Sequence, residues 1–435
     1  MSPRPPRPHY RRGSGKGRPS AARDGSREGG RPRPASDPLV GSEVEVEVGP
    51  IAHGGHCVAR HDGRVIFVRH ALPGERVRVL VTEGRPKDSF LRGDAVAVLE
   101  AAPERVTAPC PYAGPGRCGG CDFQHVRLDH QRALKTAVVR EQFARLAGLE
   151  VDVEVEPVPG DEMGLRWRSR VEFAVDAQGR AGLRGHRSHD VIPVDDCLIA
   201  AHRVIESGVL QTVWTGCRGV DVVVADLPED AVLIPLPESR VPRVGQRVVT
   251  PSWSGEFELR SRGFWQVHPG AAATYVTHIL AELAPRPGER ALDLYAGVGL
   301  FALALADAVG EDGAVLAVEG DERAVEDGIA NAADVPQVEF RAGTVDAALA
   351  GLREQGIDTD LVVLDPPRTG AGREVVEDLV TLGARAIAYV ACDPAALARD
   401  TAYLLAGGYR LRSLRAFDAF PMTHHVECIA VFEPA

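Results

Sequence analysis

The chain has 435 residues, 44% of them hydrophobic and 26% charged, an ordinary globular composition that excludes a wholly disordered or fibrous protein. Its longest uncharged apolar run, Leu294 to Ala306, is 13 residues, short of the roughly 20 that span a bilayer. Eight cysteines are too few for a disulfide scaffold, and the first thirty residues hold no apolar export core. The expected compartment is therefore the cytosol, with cysteines serving as reduced thiols, metal ligands or nucleophiles.

The net charge of −11 is unevenly spread. Residues 1–35 carry ten Arg or Lys against Asp24 and Glu28, on a Pro/Gly/Ser background. Such a segment, bounded at 1–38, is expected to be a disordered basic arm that touches polyanions or merely solubilises an acidic body.

From Gly41 the pattern changes to short alternating runs, punctuated by turns at Gly54-Gly55, Asp62-Gly63 and Pro73-Gly74. That rhythm predicts a small antiparallel barrel over 39–100. Val58-Ala59-Arg60, Asp62-Gly63 and Ala71-Leu72-Pro73-Gly74-Glu75 resemble the TRAM domain, an OB-like barrel, which implies RNA contact. A central mixed α+β region is expected over 101–255, with a cysteine-bearing segment at 109–124 and short strands from about 165. The helix of 125–147 is expected to pack either there or on the domain that follows.

From residue 256 strands and helices alternate, which signals an α/β domain built on a parallel sheet. The turn Gly297-x-Gly299-x-x-Ala302 links a strand to a helix, and Glu319 follows Gly299 by 20 residues at the next strand end. Glycines let the backbone turn close to a ligand, and a strand-end carboxylate accepts from ribose hydroxyls. Alone, this pattern fits an NAD enzyme as well. Asp365-Pro366-Pro367-Arg368 ends a further apolar strand, either as a plain terminating turn or as a loop reading a base edge. Cys392 follows the next strand and precedes a helix near Pro394, a location that lowers a thiol pKa and favours a nucleophile. Glu427 stands 35 residues later, also at a strand end.

FWQVHP (264–269), LDLYAGVGLF (292–301), VEGDERAVEDGIANA (318–332), LDPPRTGAG (364–372), YVACDPAALARD (389–400) and THHVECIAVFE (423–433) together resemble the RNA uracil-5-methyltransferases. The resemblance runs from about residue 41 onward and implies a Rossmann-like S-adenosylmethionine-dependent domain. It implies Cys392 as nucleophile and Glu427 as general base, with Gln266, Tyr295, Gly297, Gly299, Glu319 and Asp365 at the cofactor and substrate. Two positions depart from it. Leu300 and Asp393 stand where many relatives have Asn, and a carboxylate beside Cys392 opposes thiolate formation unless it caps the following helix.

Cys110, Cys118 and Cys121, followed by Cys197, form a C-x7-C-x2-C set with a distant fourth thiol. Four thiolates suit zinc or an iron–sulfur cluster, and spacing alone leans to zinc. The resemblance implies a [4Fe–4S] cluster of structural role. Arg166, Arg168, Arg170, Arg184 and Arg187, interleaved with Trp167 and His186, read as an RNA-binding stripe or as guarded strand edges. The expected partner is structured RNA, ribosomal before transfer RNA, with no DNA or membrane partner and a monomeric enzyme. The competing readings are methylation of another base position and a non-catalytic RNA-binding protein that keeps the fold.

Overall fold

The structure, a computed structural model, describes residues 37–238 and 240–435. The basic arm expected over 1–38 lies almost wholly outside the described residues.

In Glu43–Val48 the alternation puts Val44, Val46 and Val48 inside and the glutamates outside, the period-2 pattern of a half-buried strand. Five such strands, β1 (Glu43–Ala52), β2 (His56–His61), β3 (Arg64–Arg69), β4 (Arg76–Glu83) and β5 (Phe90–Glu100), close into a barrel in the order β1-β2-β3-β5-β4. Closure leaves no open edge. Buried Glu75 fastens the barrel to the next segment, accepting from the Leu72 amide and from Arg105.

Helix α1 (Leu128–Gln142) follows, its last turn widening to π geometry over Phe143–Ala147. It leads to the short strand β6 (Val155–Pro157). The central sheet is antiparallel, in the order β11-β10-β7-β8-β9. Its strands are β7 (Arg170–Val175), β8 (Ala181–Arg184), β9 (Val191–Pro193), β10 (Gly219–Val223) and β11 (Val232–Leu236), with helix α2 (His202–Glu206) between β9 and β10. A hairpin, β12 (Arg243–Val249) and β13 (Ser254–Arg260), comes next. The expected boundary at 256 falls inside β13, because the hairpin is one unit.

The C-terminal domain alternates α3 (Ala271–Leu283), β14 (Arg290–Leu294), α4 (Leu300–Val309), β15 (Ala314–Glu319), α5 (Glu322–Asn331), β16 (Val338–Ala342), α6 (Val345–Gln355), β17 (Leu361–Leu364), α7 (Arg373–Leu382), β18 (Ala386–Ala391) and α8 (Pro394–Ala406). It ends in β19 (Tyr409–Asp418) and β20 (Glu427–Pro434). The sheet order is β16-β15-β14-β17-β18-β20-β19-β6. Strands β14 to β18 run parallel, and β20 inserts antiparallel between β18 and β19. Every residue of β17 and β18 is buried, as expected of a parallel sheet covered on both faces. Arg243 and Arg260 both pair with buried Asp327 of α5, tying the hairpin to this domain.

Sequence order misplaces one region. Strand β6 extends the C-terminal sheet beside β19, and the α1 segment packs on α8, although both precede the central strands. The fastening is an ion pair sealed from water, with Lys135 Nζ 2.5 Å from Asp418 and Arg132 reaching the same carboxylate. No helix among the described residues is long and apolar enough to cross a membrane.

Candidate active site

The strand order reverses at β14, with β15 on one side and β17 on the other, and open α/β sheets bind ligands in the crevice this creates. Beyond β14 the chain turns through Tyr295, Gly297 and Gly299 at φ 63°, 55° and 94°. Gly299 is required twice over: its φ is left-handed, and a Cβ there would sit 2.7 Å from the Phe340 ring. Asp293, buried within β14, accepts from the Ala302 amide at 2.8 Å and pins the start of α4. Glu319, ending the neighbouring β15, accepts from the Gly297 amide at 2.9 Å and from the Asp321 amide at 2.8 Å.

On the other side, Asp365 follows β17 and Cys392 follows β18. The pairing of Ala391 with Cys428 sets Glu427, one residue earlier on β20, beside Cys392, one residue later. These groups line a cleft of about 790 Å³ together with Gln266, Tyr295, Gly297 and Glu319. Of the expected site residues outside the cysteine cluster, Gly299 is the one absent from the lining, since it sits behind the wall it shapes. Arg368, His425 and Phe264, 70% exposed at the rim, join the lining.

Burial dominates the electrostatics. It raises the Asp365 carboxyl to about 7. Burial, and then the charge of Asp365, lift Glu427 well above the usual carboxylate range, and its Oε1 has no hydrogen-bond partner among the described residues. The Cys392 thiol is pushed up to about 11, first by burial and then by Glu427 and Asp365. This reverses the expectation that the helix N-terminus would depress it. The α8 amides are taken by Asp393, whose Oδ1 accepts from Ala395 and Ala396 at 3.0 and 2.9 Å. The departure at 393 is thus a helix cap. Its other oxygen, Oδ2, lies 3.1 Å from Nε2 of His53 in the barrel.

Two supporting acids escaped the sequence reading. Asp293 stands inside an apolar strand, and Asp400 is a fully buried acid on the apolar face of α8. Asp400 accepts from the Tyr389 hydroxyl and from the Ala371 and Gly372 amides, and so holds the loop after Arg368. An acid at a position whose helical neighbours are apolar was the available signal.

The arginine stripe is mostly structural. Trp167 is 1% exposed and stacks on His268, so it offers no face to a base. Arg166 forks onto Asp196, Arg187 pairs with Glu83 of the barrel, and Arg168 donates to the Arg170 carbonyl. Arg170, pushed down to about 10 by burial, donates to the carbonyls of Ser261 and Gly263 and braces the segment before Phe264. Arg184 and His186 stay exposed.

Cys110, Cys118, Cys121 and Cys197 are all free thiols that share one neighbourhood. Burial raises the Cys121 thiol, and the other three add to that rise through their charge. The Gly120 amide and the Gln124 side chain donate to the sulfurs of Cys118 and Cys121. No three His, Cys, Asp or Glu groups among the described residues close around a single ion.

A doubly wound sheet whose crevice joins a glycine turn, a strand-end carboxylate and an Asp-Pro-Pro loop is the architecture of an S-adenosylmethionine-dependent methyltransferase domain. The family model for the TRAM domain matches residues 38–96, and that described as tRNA (Uracil-5-)-methyltransferase matches 266–434. An uncharacterized RNA methyltransferase of Streptomyces coelicolor is 52% identical over 92% of this chain and 95% of its own length. The 23S rRNA (uracil(1939)-C(5))-methyltransferase RlmD of Pseudomonas putida is 35% identical over 91% of this chain and 94% of its own. The crystal structure of Pyrococcus abyssi tRNA (uracil-54, C5)-methyltransferase with S-adenosyl-L-homocysteine shares the fold, at TM-score 0.64 and 21% identity, over 89% of this chain and all of that one. The chain belongs to the RNA uracil-5-methyltransferase family.

Proposed function

We propose that the enzyme methylates carbon 5 of a uridine in structured ribosomal RNA through a covalent adduct with Cys392. The observation that carries this reading is the meeting of Cys392, Glu427 and Asp365 at adjacent strand ends inside the cleft that also holds Gln266, Tyr295 and Glu319. Ribosomal RNA is favoured over transfer RNA because the Pseudomonas relative is 35% identical along nearly its whole length, whereas the transfer-RNA enzyme, covered as fully, is 21% identical and shares only the fold. We place the enzyme in the cytosol as a monomer.

S-adenosylmethionine supplies a methyl group on a sulfonium cation. The cleft fits it: Glu319, Asp321 and Asp346 line it against one arginine, Arg368, apart from the raised Asp365 and Glu427. Such an acidic cleft attracts the cation and repels an RNA backbone, so the uracil must swing in alone. Asp365 meets the base edge, where a carboxyl near 7 can donate or accept. Cys392 passes its proton to solvent water and adds through sulfur to carbon 6, sending the pair of the carbon 5–carbon 6 double bond toward carbon 5. Carbon 5 attacks the methyl, and the methyl–sulfur bond breaks with its pair left on sulfur. Glu427, which must first give up its own proton to solvent, takes the carbon-5 proton, and Cys392 leaves with the pair of its bond to carbon 6.

We assign Cys110, Cys118, Cys121 and Cys197 to a [4Fe–4S] cluster. Four thiols that share one neighbourhood can serve as ligands, and the resemblance to the family favours an iron–sulfur cluster over zinc. The two hydrogen bonds donated to sulfur suit thiolates. Its role is to hold the 109–124 segment against the central sheet, where Cys118 pairs with Gly185.

The test uses labelled S-adenosylmethionine and RNA lacking the modification, with wild type and Cys392→Ala side by side. Label recovered as 5-methyluridine from wild type alone is the expected result. Label in another nucleoside, or an active Cys392→Ala, overturns the mechanism. Tight RNA binding without any transfer would favour the non-catalytic reading.

A further inference from the structure

The barrel does more than flank the catalytic domain: its β1–β2 turn is wedged against the nucleophile's side of the cleft. A Cβ on Gly55 would lie 2.6 Å from that of His424, so the turn fits there only because residue 55 has no side chain. His53, two residues earlier, extends to Asp393, the residue after Cys392. Asp393 has one oxygen committed to the α8 amides, and its second is the one that meets His53. The groups facing His53 are Asp393 at the cap of α8 and Arg145 and Glu141 on the α1 segment.

We infer that His53 is a positioning residue for methyl transfer: from the barrel it neutralises Asp393, so that this carboxylate does not oppose ionisation of Cys392. The inference rests on Cys392 being the nucleophile. The electrostatics agree in sign. The bond to Asp393 raises His53 and favours its cation, against the opposing effect of burial. Burial works to raise Asp393, but His53 and the helix amides prevail and hold it below its usual value. The Asp393 charge is among those that push the Cys392 thiol up. Losing His53 therefore leaves an uncompensated anion beside the thiol. Only a seated barrel supplies the cation, so turnover is coupled to barrel docking.

The experiment measures kcat and the KM for RNA in a double-mutant cycle. The variants are His53→Ala, His53→Gln, Asp393→Asn and their combinations, each checked for an unchanged unfolding midpoint. Asn keeps an oxygen for the α8 amides and removes the charge. His53→Ala is expected to lower kcat a few-fold, within the tenfold loss of thiolate for one pKa unit, since Asp393 is the smallest of the charges acting on the thiol. The rising limb of its pH–rate profile moves to higher pH, and the KM for RNA holds. In the Asp393→Asn background the same substitution costs within about twofold, the scatter of independent sites. His53→Gln, which keeps polarity without charge, gives the same loss and the same rescue, and serves if His53→Ala misfolds. An equal loss in both backgrounds, or one confined to KM, overturns the inference and makes His53 a fold support or an RNA contact. Cys392→Ala separates the two claims. If it is active, the nucleophile reading falls; if it is inactive and His53→Ala is not rescued, only the role of His53 falls.

Discussion

On the glycine-turn wall of the cleft, Glu319 has both carboxylate oxygens engaged by backbone amides, and the turn is locked by Asp293 and the Phe340 ring. Across the cleft, Glu427 leaves an oxygen unpaired, Asp365 sits near 7 and Cys392 near 11. On the first wall the Glu319 carboxylate is satisfied before any ligand arrives, with an unpaired oxygen only on Asp293 behind the turn, which suits holding a cofactor in one pose at little ordering cost. The second keeps its acids and thiol short of partners, which raises their reactivity toward protons and carbon. Binding and chemistry thus come from adjacent strand ends of one sheet, built to different degrees of polar satisfaction.

The contrast can be broken or sharpened by substitution. Glu427→Gln should reduce turnover about 10²–10⁴-fold, the range for a lost general base. The adduct stalls before its carbon-5 proton leaves, so a protein–RNA species surviving denaturing electrophoresis should accumulate with S-adenosylmethionine present. Absence of that species would move the base elsewhere. Glu319→Gln, on the satisfied wall, should act on cofactor affinity, raising its dissociation constant about tenfold through weakened charged hydrogen bonds. Isothermal titration checks this, and a loss confined to kcat would erase the distinction between the walls. Asp365→Asn should have the smallest direct readout. Removing its charge lowers the Cys392 thiol pKa below its value of about 11, so alkylation of Cys392 at pH 9 in the ligand-free enzyme should quicken a few-fold, within the tenfold of one pKa unit.

The glycine turn, Glu319, Asp365 and Cys392 were legible as candidates because each follows an apolar run that stops at a strand end, and Glu427 because it opens the next apolar run. The pairing of those ends across a parallel sheet follows from its topology. What escaped was long-range. Nothing local to Lys135 announces Asp418, 283 residues away, so the packing of α1 on the catalytic domain stayed one of two expectations and the pairing of β6 with its sheet went unforeseen. The Arg166–Arg170 stripe looked like an RNA surface because sequence shows the cations but not Asp196 or the carbonyls that engage them. The thiol's direction was misjudged for a related reason. A helix N-terminus has few amides to give, and the residue next to Cys392 had already taken two of them.

The placement of β20 bears on how the molecule is assembled during synthesis. It follows every other strand in chain order, yet it occupies an inner position between β18 and β19 and carries Glu427. Until it emerges from the ribosome, β18 lacks one of its two neighbours, and β19 has no place in the sheet for the early strand β6 to meet. Lys135 must likewise wait for Asp418 on β19. The barrel can close on its own residues while the catalytic sheet is still incomplete, in keeping with domains folding in order from the N-terminus. A nascent chain would therefore present its barrel well before it has a centre able to react.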